Sequence, residues 1–288
     1  MTDQLPQLGP SLQGPPLQPL PPPDQQPLPT PGLPQNSGGP VVVQMMTGMD
    51  MSPYLKLVIF GGSGTGKTRF AATAPKPFFI DTQGGTKTLR DWPELLAKVN
   101  IARVPEWRFF PPTIAAIKRR DHDLTRDRET FVLDTIDSLQ RSNLRAILNA
   151  KQGGNKFLPM EHEYKQSGEM LIRLILELRD LEAHVIILMD QTVINDPAEE
   201  GRPARYEIRP GVTPKLAKTL VEEFDLVGYL QLNRDQEKFQ NIHNILTTQS
   251  SDVMWHPKSR FRHLPTQLGN PTFDDLLKAA NLYKEQPK

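Results

Sequence analysis

Residues 60–70 read Phe60-Gly61-Gly62-Ser63-Gly64-Thr65-Gly66-Lys67-Thr68-Arg69-Phe70, directly after the apolar run Leu55-Lys56-Leu57-Val58-Ile59. The spacing Gly61-x-x-x-x-Gly66-Lys67-Thr68 fits the P-loop pattern. A strand that ends in glycines and turns at once into a helix lets backbone N–H groups approach an anion closely, at the positive end of the helix dipole. On this reading Gly61, Gly62, Ser63, Gly64, Thr65, Gly66, Lys67, Thr68 and Arg69 surround the phosphates of ATP. Lys67 reaches the β and γ phosphates, and the Thr68 hydroxyl ligates Mg²⁺. A fortuitous glycine-rich turn is the competing explanation, and the rest of the chain has to decide between them.

Context of the right kind follows. Apolar runs of strand length alternate with helical patterns from Tyr54 onward, as an α/β domain with a mostly parallel sheet requires. Strands are predicted at Leu55–Phe60, Pro77–Ile80, Phe131–Leu133 and His184–Met189. Each ends in a polar cluster: the glycine loop, Asp81-Thr82-Gln83-Gly84-Gly85, Asp134-Thr135, and Asp190-Gln191. Ligands of open α/β sheets bind beyond the carboxyl ends of the strands, so these four clusters are expected to converge. Helices are predicted at Lys67–Ala74, at Tyr164–Glu182 with Met170, Leu171, Leu174, Ile175, Leu178 and Leu181 on one face, at Lys215–Glu223 and at Phe273–Leu282. Leu226–Leu232 and Ile242–Thr248 read as an antiparallel hairpin at the sheet edge.

Composition limits the alternatives. Of the 29 prolines, 13 fall in the first 40 residues, interleaved with Gln and Gly, so residues 1–50 read as a disordered or polyproline II tail and 51–288 as the folded domain. The net charge of +1 gives no global argument for nucleic-acid binding, which must come from local patches. Cysteine is absent, which excludes disulfides, thiol catalysis and cysteine-ligated metal and suits a reducing cytoplasm. The sequence shows neither a membrane span nor a secretory signal.

Phe131-Val132-Leu133-Asp134 is an apolar strand ending in an acid, the Walker B arrangement that holds Mg²⁺ opposite Thr68; capping of the next helix is the other use of such a carboxylate. With this pair in place, the stretches "FFIDTQGGTKTL" (78–89), "FVLDTIDSL" (131–139), "IILMDQ" (186–191), "FDLVGYL" (224–230) and "KSRF" (258–261) make residues 52–282 resemble RecA-like P-loop NTPases. They are most similar to phage-encoded "AAA domain" nucleotide-binding proteins associated with single-strand annealing and recombination.

The resemblance implies an ATPase, a homo-oligomer that binds single-stranded DNA, and a single-strand-binding or annealing protein as partner. It implies Gln83 at the place of the glutamate that activates water, Gln191 as the sensor of the γ-phosphate, and Lys258 and Arg260 as a basic pair reaching a nucleotide, in RecA filaments across a subunit boundary. It implies two DNA-binding segments. One carries Lys151, Lys156 and Phe157; the other, the polar stretch from Thr192 to Pro214, carries Arg202, Arg205, Tyr206 and Arg209. Cations for phosphates and aromatic rings for bases are the combination that single-strand binding needs. Gln83 can orient water but cannot accept its proton, which leaves open a nucleotide-binding adaptor or DNA-binding module with little turnover. A small-molecule P-loop kinase is the third alternative, although no arginine-rich lid is visible. Trp92 and Trp107 read as packing residues.

Overall fold

The computed structural model describes residues 52–120, 122–152, 158–197, 205–234, 242–248 and 257–282. The predicted tail lies outside the described residues. In chain order the elements are β1 (Lys56–Gly61), α1 (Lys67–Ala72), β2 (Pro77–Asp81), α2 (Pro93–Leu96), β3 (Asn100–Arg103), α3 (Phe110–Arg119), α4 (Asp123–Arg126), β4 (Thr130–Asp134), α5 (Ile136–Gln152), α6 (Glu161–Arg179), β5 (His184–Asp196), β6 (Arg205–Pro210), α7 (Pro214–Glu223), β7 (Leu226–Arg234), β8 (Ile242–Thr247), β9 (Lys258–Ser259), β10 (Gln267–Gly269) and α8 (Phe273–Ala279).

The sheet order is β10-β8-β7-β1-β5-β4-β2-β3. The six strands from β7 to β3 are parallel, and β8 and β10 extend the edge antiparallel. This is the mostly parallel α/β sheet with flanking helices that the sequence predicts, including the β7–β8 hairpin. β1 sits between β5 and β7, so the phosphate-loop strand has neighbours on both sides.

Alternation along β1 sends Val58 and Phe60 to one face and Leu57 and Ile59 to the other. The first face is covered by α3, α5, α6 and α7 through residues such as Phe110, Ile114, Leu139, Leu171, Ile175, Leu178 and Leu220. The second is covered by α1 and α8 through Phe70, Ala71, Phe273 and Leu276. Strands that are buried on both faces read as unbroken apolar runs, which is why β1, β4 and β5 are legible in the sequence.

Two predicted segments change. The helix predicted from Tyr164 begins a turn earlier, at Glu161, where the Glu163 carboxylate accepts from the Met160 amide at 2.6 Å. It ends at Arg179, and Met170 is exposed, leaving Leu171, Ile175 and Leu178 as the fully buried stripe. The larger change concerns the polar stretch from Thr192 to Pro214. β5 runs on to Asp196 and pairs with β6, with Val193 opposite Ile208 and Asn195 opposite Tyr206, so both described ends of that stretch form an antiparallel ribbon beyond the sheet. Alternating Val193, Asn195, Tyr206 and Ile208 supply the β pattern that the surrounding charges obscure.

His184, at the foot of β5, ties the amino end of the sheet to α8. Its Nδ1 accepts from the Leu55 amide at 2.9 Å, and its ring meets Tyr54 and Phe273 edge-on. Burial, aided by nearby Lys56 and opposed by Glu129, pushes the imidazole down to about 4 from its ordinary 6.5. The unfolded chain therefore takes up a proton below about pH 6.5 that the fold refuses, and the stability present above that pH is lost as pH falls toward 4, by up to about 3 kcal/mol. We expect wild type to lose stability relative to a titration-silent His184→Gln variant between about pH 7 and 4.5. Paired thermal melts check this, and a wild-type-to-variant difference that stays constant over that range would show that the imidazole titrates normally.

Candidate nucleotide-binding site

All four strand-end clusters meet at one cavity of about 450 Å³, whose walls include residues Ser63 to Arg69, Gln83, Gly85, Asp134, Thr135 and Asp190. The loop has its shape for stereochemical reasons. A Cβ at Gly61 would collide with the Leu230 carbonyl of β7, so only glycine lets β1 end this close to its neighbour. Gly66 takes φ 88°, a left-handed conformation that turns the chain into α1.

Lys67 folds back over the loop that precedes it. Its ammonium donates to the carbonyls of Gly61 and Gly62, both at 2.9 Å, and to Asp190 Oδ1 at 3.0 Å. Next to it, Thr68 Oγ1 donates to Asp134 Oδ2 at 2.8 Å. The Asp134 carboxyl is pushed up to about 6, chiefly by burial; Thr68 and Lys67 oppose the shift, and Asp81 and Asp190 add to it. A hydroxyl and a carboxylate oxygen side by side at a phosphate loop form a hard-oxygen donor set that fits Mg²⁺, which is held by few protein ligands and keeps waters. Among the described residues no group of three or more His, Cys, Asp or Glu is clustered to hold a metal ion.

The ends of β2 and β4 are sewn together beside this pair. The Thr82 amide donates to the Asp134 carbonyl at 2.8 Å, and Thr82 Oγ1 accepts from the Thr135 amide at 2.9 Å. Asp81 is fully buried, and its carboxylate organises the turn that follows. Oδ1 accepts from the amides of Gln83 (3.2 Å) and Gly84 (2.5 Å); Oδ2 accepts from the Thr86 hydroxyl and from Arg103 Nη1 at 3.0 Å. Asp81 is thus an anchor that presents Gln83 to the cavity. The turn packs so tightly that a Cβ on Gly85 would come within 2.9 Å of Asp134 Oδ2.

Other predicted residues lie elsewhere. Gln191 follows Asp190 on β5; its amide lies beside Gly62 and its Oε1 accepts from Tyr229 Oη at 3.1 Å. Lys258 and Arg260 are not brought to this chain's own cavity. Val227 pairs with Lys258 near the amino end of β7, opposite the loop end of β1. There Lys258 Nζ donates to the carbonyls of Val221 (2.5 Å) and Glu222 (3.3 Å), and Arg260 donates to the Glu222 carbonyl (2.7 Å) and Asp225 (3.1 Å). The exposed carbonyls and negative dipole at the end of α7 account for two cations there. Of the predicted DNA-contacting residues, Tyr206 is half exposed on β6, Arg209 lies on the same strand opposite Thr192, and Lys151 lies in the last turn of α5. Arg205 opens β6, while Lys156, Phe157 and Arg202 lie outside the described residues.

Two cavity residues carry more than the sequence reading gave them. Trp92 lines the cavity, and the Arg69 guanidinium stands over its ring at 5.4 Å. Asp190, legible as part of a strand-end cluster, is the ion-pair partner of Lys67.

The family profile described as "AAA domain" matches residues 54–261. No curated protein matches the chain. Among solved structures, the flagellar accessory protein FlaH from Methanocaldococcus jannaschii is similar at 11% identity, with 76% of this chain and 84% of that chain covered and a TM-score of 0.36.

Because Asp81 satisfies two amides, a hydroxyl and an arginine from a fully buried position, Asp81→Asn turns one acceptor oxygen into a donor facing donors. We expect a loss of about 2–3 kcal/mol in chemical denaturation. An unchanged midpoint would show that the turn does not depend on this carboxylate.

Proposed function

This chain belongs to the AAA-domain family of P-loop NTPases, and from that premise we propose that it binds ATP with Mg²⁺ at the strand-end cavity, hydrolyses it, and uses the nucleotide state to control single-stranded DNA binding. The observation that carries the nucleotide part is the adjacency of two pairs: Lys67 with the loop carbonyls, and Thr68 with Asp134 at 2.8 Å. The loop amides and Lys67 bind the triphosphate, and Thr68 and Asp134 hold the cation. When bound, Mg²⁺ supplies charge neutralisation across the β and γ phosphates. Gln83 orients the attacking water, and the Trp92 ring with Arg69 closes the cavity at its rim.

The DNA part draws support from the ribbon. It begins at Asp190-Gln191, so a change at the phosphate end of the cavity acts on the root of the strand that carries Arg209 and half-exposed Tyr206 on its partner. Cationic and aromatic side chains on an exposed ribbon suit phosphates and unstacked bases. Recombination or annealing on single strands, by a homo-oligomer working with a single-strand-binding or annealing protein, is the process this chemistry would serve. Gln83 in place of a carboxylate favours a second reading, a nucleotide-controlled DNA-binding module with little turnover.

Lys67→Ala is expected to weaken ATP binding about 10- to 100-fold by removing a charge-assisted contact, with the melting profile retained. Titration with ATP and Mg²⁺ checks this, and unchanged affinity would overturn the nucleotide reading. Arg205→Ala with Arg209→Ala is expected to weaken single-stranded DNA binding and lower its salt slope by about one per lost phosphate contact, with ATP affinity kept. If DNA affinity and slope both survive, the ribbon is not the binding surface. Phosphate release with and without DNA separates the two readings: stimulation supports coupled hydrolysis, and binding without release supports the module.

A further inference from the structure

Hydrolysis of a phosphoanhydride is faster when a positioned carboxylate takes the proton of the attacking water, which an amide at Gln83 cannot do. Four aspartates lie at or just after the strand ends near the phosphate loop, and three of them are committed. Asp81 is fully buried with both oxygens engaged, as described above. Asp134 is 2% exposed and bonded to Thr68. Asp137 is 3% exposed and accepts from the Asp190 amide and from Arg141, both at 3.1 Å.

Asp190 differs. Its side chain is 39% exposed and opens into the cavity that Gln83 and Thr135 also line. Among the described residues its side chain bonds to Lys67, through Oδ1 alone. Its backbone is fixed on both sides, the amide by Asp137 and the carbonyl by the Gly211 amide at 2.7 Å, and it pairs in register with Gly61 at the root of the loop. A carboxylate with spare acceptor capacity thus stands on a rigid strand end, next to the lysine that meets the phosphates.

We propose that Asp190 is the water-activating carboxylate of this chain and that, before nucleotide arrives, it serves as the counterion of Lys67. The proposal rests on the ATP reading above. A triphosphate carries several negative charges to the loop and attracts Lys67 more strongly than one carboxylate does. Once Lys67 turns to the β and γ oxygens, both oxygens of Asp190 are free at that end of the cavity. The water oxygen then bonds to the γ-phosphorus as the bond from that phosphorus to the β–γ bridging oxygen breaks. The electron pair of the broken bond leaves with ADP. The water's proton passes to an Asp190 oxygen and from there to solvent. Gln83 holds the same water in line without taking its proton.

Asp190→Asn keeps the shape and removes the base, and Asp190→Ala removes the side chain altogether. Both are measured for melting profile, equilibrium binding of ATP with Mg²⁺, and single-turnover cleavage. The expected result is cleavage slowed about 10²- to 10⁴-fold. ATP affinity is expected to be unchanged or tighter, because Lys67 has lost its charged competitor in the free protein. A residue that merely shapes the site would instead lower affinity and rate together. Cleavage within about threefold of wild type in either variant that binds ATP would overturn the assignment while leaving the ATP reading intact; so would a fall in affinity parallel to the fall in rate. Wild-type protein that binds ATP without cleaving it overturns the assignment as well, and wild-type protein that does not bind ATP overturns both.

Discussion

Lys67 keeps its ammonium at a site where the side chain is only 8% exposed, and a buried cation costs several kcal/mol unless its protons are bonded and its charge is paired. Two loop carbonyls and the Asp190 carboxylate meet that demand. They can do so only because β1 ends between β5 and β7, with Gly61 in register with Asp190 and close against Leu230. The sheet order, the glycine at the strand end and the acid ending the neighbouring strand are therefore parts of one requirement. A phosphate chain is the kind of anion that would satisfy the same ammonium.

Polar groups at the strand ends divide into those that build the turn and joint and those that line the cavity. Asp81 and Thr82 fix the turn that carries Gln83 and the joint between β2 and β4, while Asp137 holds the Asp190 amide and Arg141. Thr68, Asp134, Gln83 and Asp190 keep atoms facing the cavity. The ribbon grows from the same strand end, so Gln191 and the residues of β6 lie on two paired strands.

Much of this was legible in the sequence because strands buried on both faces are unbroken apolar runs and because the phosphate loop has a fixed spacing. Other elements gave no such signal. β3 is four residues of which none is fully buried, and α3 opens with Pro111 and Pro112, which read as a break but occupy a first turn where no N–H is needed. The ribbon is only partly buried, with Val193 and Tyr206 exposed and Ile208 against the core, so its charges mask its alternation. Lys258 and Arg260 illustrate a different limit: a basic pair in sequence does not say what it contacts within its own chain, and here it contacts the carbonyls at the end of α7. Among the described residues, no helix is long and apolar enough to cross a membrane.

The most direct measurement is a crystal structure with a non-hydrolysable ATP analogue and Mg²⁺. The account predicts density for the triphosphate over residues 61–68, Lys67 Nζ on the β and γ oxygens and no longer on Asp190, and the cation against Thr68 Oγ1 with Asp134 beside it. Nucleotide bound elsewhere, or a triphosphate in the loop with Lys67 still paired to Asp190, would contradict it.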